Sequence, residues 1–192
     1  MSARTKPDRA VLITPGASAG RDQPALVAIE EALDPVPVER MDFPYRTAGR
    51  KSPDRPPVLI AAVKEGAAAL AARTGLGAER IALGGRSMGG RVCSMAVAEG
   101  QPALGLVLVS YPLHPPGKPE QQRTEHLPAL DVPCLFVSGT RDAFATRDEL
   151  EGATVAIPGP VTHVWLEGGD HGLRRRDHEV AAAVRDWVLA LE

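Results

Sequence analysis

Residues 80–91 read Arg80-Ile81-Ala82-Leu83-Gly84-Gly85-Arg86-Ser87-Met88-Gly89-Gly90-Arg91. The run from Arg80 to Gly84 is compact and apolar, as a buried strand is, and Ser87 to Glu99 continues as an apolar helix. Between them stands Gly85-Arg86-Ser87-Met88-Gly89, a Gly-x-Ser-x-Gly turn that would lift the Ser87 hydroxyl onto a sharp strand-to-helix corner. Such a serine sits in strained backbone, and side chains on the flanking residues would clash, which is why glycine is needed there. The five-residue pattern alone is weak, because any glycine-rich strand–helix turn can produce it. Its neighbours must decide.

Outward from this corner the chain alternates short apolar runs with longer amphipathic ones. Ala10 to Thr14, Val36 to Asp42, Leu104 to Ser110, Val132 to Ser138 and Val161 to Glu167 read as further strands. Asp22 to Leu33, Val58 to Arg73 and Asp177 to Leu191 read as helices, the last with Val180, Val184, Trp187, Val188 and Leu191 at helical spacing. Strands that are continuous apolar runs, separated by helices, imply a parallel sheet covered on both faces. The expected class is α/β, a single domain over residues 1–192 with six parallel strands and helices on both faces. No repeat or linker divides it.

A serine hydroxyl is a poor nucleophile at neutral pH and needs a base within hydrogen-bond reach. The base needs an acid that fixes its tautomer and stabilises the imidazolium. The strand ending at Ser138 runs into Gly139-Thr140-Arg141-Asp142, and the strand ending at Glu167 into Gly168-Gly169-Asp170-His171-Gly172. Both loops leave the same edge of the sheet as Ser87, in the chain order Ser, acid, His that such folds use. Asp142 is therefore the expected acid and His171 the expected base. Asp170 adjoins His171 and would brace the turn instead, and Asp131 sits at the wrong end of its strand. His163 falls within a strand, His178 on a helix face and His126 in polar packing, all structural placements. Oxyanion donors are expected from the backbone N–H groups of Met88 and Ala17, with Gly16 letting the chain approach. Pro15 has no N–H to give. The Pro15–Gly20 loop lacks the glycine patterns of a nucleotide site.

Composition narrows the function. The 192 residues carry 44% hydrophobic side chains and a net charge of -2, with no apolar run long enough to span a bilayer. A near-neutral balance offers no nucleic-acid footprint, and Arg174-Arg175-Arg176 is a solvated helix start broken by Asp177. Cys93 and Cys134 are the only cysteines and lie in apolar contexts, as core thiols of a reducing compartment do. A cytoplasmic protein that binds neither membrane nor nucleic acid is expected. The excess of arginine over lysine, with abundant Ala, Gly and Pro, suggests a high-GC bacterial genome.

One stretch is more specific than the corner itself: Tyr111-Pro112-Leu113-His114-Pro115-Pro116-Gly117-Lys118-Pro119-Glu120, continuing to Arg123-Thr124-Glu125-His126-Leu127. Together with Phe43-Pro44-Tyr45 and Gly84 to Arg91, it resembles a group of α/β-hydrolases with many bacterial members. That group is related to testis-expressed protein thirty and to subunit three of the NSL histone-acetyltransferase complex, and lies close to dienelactone-hydrolase-like proteins. The resemblance runs from Val11 to Trp187. It implies an α/β-hydrolase fold with Ser87, Asp142 and His171 as nucleophile, acid and base, and it implies no particular substrate. Pro15 departs from the group's pattern, which often has His before Gly16.

That fold would appear here in minimal form, with the strands ordered second-first-third-fourth-fifth-sixth and no large cap. The usual opening hairpin has no room, and residues 1–9 are expected to form at most a flexible stub. Tyr111 to Leu130 takes the cap position. It is short, polar and Pro-rich, so it would line the rim of an open site, with His114 and Tyr111 near the substrate. Alternatively His114-Pro115-Pro116 merely stiffens the loop. The expected activity is hydrolysis of a small ester or thioester, with no metal or organic cofactor. A scaffold that binds partners without turnover and an acyltransferase are the alternatives.

Overall fold

The computed structural model describes residues 7–192, and most of the expected stub at residues 1–9 lies outside them. Six strands form one parallel sheet in the order β2-β1-β3-β4-β5-β6. They are β1 (Ala10–Thr14), β2 (Val38–Arg40), β3 (Ile81–Arg86), β4 (Gly105–Val109), β5 (Cys134–Gly139) and β6 (Val161–Leu166). The order and direction match the sequence expectation.

Each central strand divides its side chains between two cores, as the period of two along a strand requires. Leu12, Ile81, Leu83, Leu106, Leu108 and Phe136 pack on one face; Val11, Ile13, Ala82, Val107, Val109 and Val137 pack on the other. Helices α3 (Pro56–Thr74), α4 (Met88–Ala98) and α5 (Arg147–Thr154) cover the first face, and α1 (Pro24–Leu33) and α6 (Asp177–Ala190) the second. The sheet is thus apolar on both sides, and continuous hydrophobic runs were its correct signature.

Three elements differ from the sequence expectation. β2 covers only Val38–Arg40, because it is an edge strand with half-buried side chains. The segment after it turns into a single helical turn, α2 (Pro44–Thr47), that buries Tyr45. α5 has no clear apolar stripe and was not visible in the periodicity. A capping box starts it: the Thr146 hydroxyl accepts from the Glu149 N–H, while the Glu149 carboxylate accepts from the Thr146 N–H. Two prolines open α3, where their missing N–H groups cost nothing.

At the start of the described chain, Arg9 donates to the carbonyls of Val188 (2.8 Å), Leu189 (3.2 Å) and Leu191 (2.9 Å). A cation there complements the C-terminal end of α6. Residues 111–130 contain no α-helix, only a 3-10 turn at Leu127–Ala129. No helix among the described residues is long and apolar enough to cross a membrane.

Candidate active site

The carboxyl ends of β3, β5 and β6 meet at one edge of the sheet, and each delivers one side chain. Ser87 follows β3 and precedes α4, with φ 51° and ψ -118°. Such backbone costs on the order of 1–3 kcal/mol and persists only where the surroundings fix it. Here the Ser87 N–H donates to the Val109 carbonyl at 2.8 Å, and the Ser87 carbonyl accepts from the Arg91 N–H at 3.1 Å. A Cβ on Gly85 would collide with the carbonyl and hydroxyl oxygens of Thr14 on β1. One on Gly89 would lie 2.6 Å from the Pro15 carbonyl oxygen. The corner closes only because both positions are glycine.

The loop after β5 carries Asp142, whose carboxylate is almost completely buried. Its Oδ1 accepts from the Phe144 N–H two residues on, at 2.8 Å, the short turn aspartate favours. The loop after β6 carries His171. The two loops are laced together, with the Thr140 N–H on the Leu166 carbonyl (3.1 Å) and the Arg141 N–H on the Gly169 carbonyl (2.8 Å). His171 Nδ1 lies 2.9 and 2.8 Å from the two oxygens of Asp142, and Nε2 lies 2.9 Å from Ser87 Oγ. A carboxylate can only accept, so the tautomer that suits this pair has the His171 proton on Nδ1 and a lone pair on Nε2 facing the serine hydroxyl. The geometry can therefore move a proton from Ser87 to His171.

Two residues that the sequence did not single out hold His171 in place. Arg86, the residue before Ser87, donates from its guanidinium to the His171 carbonyl at 2.6 Å. The Phe144 ring stacks on the imidazole with centroids 3.9 Å apart. Arg86 could have been noticed as one of the two variable residues of the serine turn; nothing local marks Phe144.

Ser87 opens onto a cavity of about 430 Å³ that Ala17, Met88, Arg86, Arg91, Arg123 and His171 help to line. Met88 is the first residue of α4, so its N–H has no acceptor within the helix. The Ala17 loop is fixed from outside. The Tyr45 hydroxyl donates to the Ala17 carbonyl at 2.7 Å, and the Gly16 N–H donates to Gln23 Oε1 at 3.2 Å. Tyr45 belongs to the Phe43-Pro44-Tyr45 motif, but its role depends on a contact across 28 residues.

Tyr111 and His114 are not brought to this cavity. Tyr111 is 1% exposed, packs edge-on against Phe136, and its hydroxyl lies 3.3 Å from both the Arg123 carbonyl and His126 Nε2. His114 is buried, with Nε2 3.2 Å from a Glu149 oxygen and Nδ1 2.8 Å from the Pro115 carbonyl. Burial opposes its protonation, but the Pro115 carbonyl and Glu149 outweigh it and raise its pKa. Both side chains are taken up by tying the 111–127 strap to the body, so neither is free to face the cavity.

The remaining histidines fall as expected. His126 bonds Ser94 Oγ at 2.8 Å, and burial, with Arg91 nearby, pushes it down to about 4. His163 bonds Thr154 Oγ1 at 2.9 Å between Phe136 and Trp165, and His178 is exposed. Asp170 is exposed. Cys93 and Cys134 are buried free thiols, each pushed up to about 12 by burial, so neither supplies a thiolate at neutral pH.

A six-stranded parallel sheet with its serine corner at the carboxyl edge defines an α/β-hydrolase. Residues 7–188 match the Alpha/beta hydrolase domain family, and the chain belongs to it. Over 64 residues it is 36% identical to Epoxide hydrolase A of Mycobacterium tuberculosis, a match covering 33% of this chain and 20% of that protein. The chain thus spans about a fifth of that curated relative. Est1E from Butyrivibrio proteoclasticus has the same fold with a TM-score of 0.77 at 15% identity, over 97% of this chain and 89% of that one. A dienelactone hydrolase from Anabaena variabilis superposes with a TM-score of 0.75 at 17% identity, over 97% and 88%.

Proposed function

We propose that this chain is a serine hydrolase that cleaves a small ester or thioester through an acyl-enzyme on Ser87. Ser87 Oγ attacks the carbonyl carbon while His171 Nε2 takes its proton. Asp142 holds the imidazole in the required tautomer and stabilises its charge. The carbonyl oxygen becomes an oxyanion facing the N–H groups of Met88 and Ala17. Collapse of the intermediate breaks the bond to the leaving alcohol or thiol, which His171 protonates. Water then attacks the acyl-enzyme with His171 again as base, and the acid departs as Ser87 regains its proton.

The observation that carries this proposal is the continuous chain of contacts Asp142–His171–Ser87, 2.8 and 2.9 Å long, assembled from three separate strand ends. A fluorophosphonate probe should label the wild-type protein and leave Ser87→Ala unlabelled. Equal labelling of the two would defeat the assignment. Transfer of the acyl group to an acceptor other than water would use the same groups. The resemblance to the group of testis-expressed protein thirty and NSL subunit three is the motive for a scaffold role, and an intact proton path speaks against it. The buried thiols suit a cytoplasmic setting.

Tyr45→Phe tests the Ala17 donor. The ring still stacks on Phe43, but the bond to the Ala17 carbonyl is lost. The expected result is a fall in kcat of about tenfold, from a loosened oxyanion donor, with little change in KM. An unchanged kcat would remove Ala17 from the mechanism.

A further inference from the structure

We propose that the substrate carries an oxyanion, a carboxylate or a phosphate, in addition to its ester or thioester bond, and that Arg91 and Arg123 receive it. The proposal rests on Ser87 being the attacking group, since both arginines line the cavity on which Ser87 opens. Among the described residues, that cavity is lined by three arginines and no carboxylate. Among the described residues, no Asp or Glu oxygen comes within the 4.0 Å of an ion pair to any of the three. The chain's net charge is -2, so this concentration of positive charge is local.

The three are not equivalent. Arg86 is employed: its guanidinium donates to the His171 carbonyl. Burial lowers its pKa, against the opposing pull of Asp142, Asp177 and Asp170. Arg91 and Arg123 are less fully employed. Arg91 Nε is buried with no hydrogen-bond partner among the described residues. Arg123 has one long side-chain bond, Nη1 to the Pro112 carbonyl at 3.3 Å. Burial lowers the Arg123 pKa, and the Arg91 charge lowers it further. The nearby His126 stays neutral above about pH 4 and so adds no third positive charge beside them.

Two guanidiniums on one cavity, each with donors to spare, fit an oxyanion whose several oxygens can accept N–H bonds from both. An uncharged substrate would leave the repulsion in place. Arg91, on the first turn of α4, stands four residues beyond Ser87, about 6 Å along the helix axis. A short acyl chain ending in a carboxylate would place its reacting carbonyl at Ser87 and its anion among the arginines that line the same cavity.

The test compares mono-p-nitrophenyl adipate with p-nitrophenyl hexanoate, which differ at the far end of equal six-carbon acyl chains. Wild type should favour the adipate in kcat/KM by about tenfold or more at low ionic strength. That ratio should collapse toward unity in Arg91→Met/Arg123→Met and be partly kept in Arg91→Lys/Arg123→Lys. A wild-type preference for hexanoate, or an unchanged ratio in a folded double-Met variant, overturns the proposal. If the hydrolase assignment itself fails, neither ester turns over; the anion site is then read by melting Ser87→Ala with free adipate or inorganic phosphate at constant ionic strength. A rise in Tm that the double-Met change abolishes supports the site, the more effective anion naming its source. No rise with either anion overturns it.

Discussion

Changing Asp142 to asparagine is expected to lower kcat toward an activated ester by about 10³–10⁴-fold while leaving KM within a few-fold. The buried carboxylate accepts from two donors, the Phe144 N–H and His171 Nδ1. An amide of the same shape can still accept with its oxygen from Phe144. Its NH₂ then faces His171 Nδ1, which must accept and so surrender its proton. The proton moves to Nε2, where it blocks the lone pair that the proposed attack by Ser87 needs. Steady-state kinetics with p-nitrophenyl acetate would read the loss, and a near-normal kcat would show that Asp142 does not set the tautomer. His171→Ala should be at least as severe, because it removes the proposed proton acceptor itself.

Gly85→Ala is the second large effect. The added methyl would meet backbone oxygen on β1, which is locked in the sheet by its pairing with β3 and cannot retreat. The expected cost is about 3 kcal/mol, at the upper end of overpacking, or a fall in Tm of roughly 6–12 °C for a domain of this size. Activity should vanish with it, since the serine corner is the part displaced. Gly152→Ala on α5 is the control, because nothing lies within 4 Å of its Cβ position. It should raise stability by up to about 1 kcal/mol through helix propensity. Calorimetry on both variants would separate a specific clash from a general intolerance of glycine substitution.

The parallel sheet was legible because its strands are buried on both faces and so appear as unbroken apolar runs. The positions of Ser87, Asp142 and His171 were legible for a related reason: each follows such a run directly, and parallel strands send their carboxyl ends to one edge. α5 was not legible, since only Leu150 and Thr154 of its eight residues are buried and a capping box rather than a stripe starts it. Tyr111 and His114 were misjudged for a different reason. Polar residues in a Pro-rich strap look exposed in sequence, and only packing against Phe136, His126 and Glu149 reveals that their polar atoms are engaged. Supports such as Phe144 on His171 or Tyr45 on Ala17 join residues from different elements, and no local pattern encodes them.

The last strand has a consequence for how the protein fails. Among the described residues β6 is an edge of the sheet, hydrogen-bonded to β5 alone, and its side chains are mostly half-buried. Yet His171 is carried on the loop that leaves it. Local fraying begins where pairing is one-sided and burial is shallow, well before the interior opens. Heat or denaturant should therefore detach the histidine while the serine corner, deep between β1 and β4, is still formed. Inactivation would then precede the loss of helical signal, and the protein's working range would be set by its margin rather than by its core.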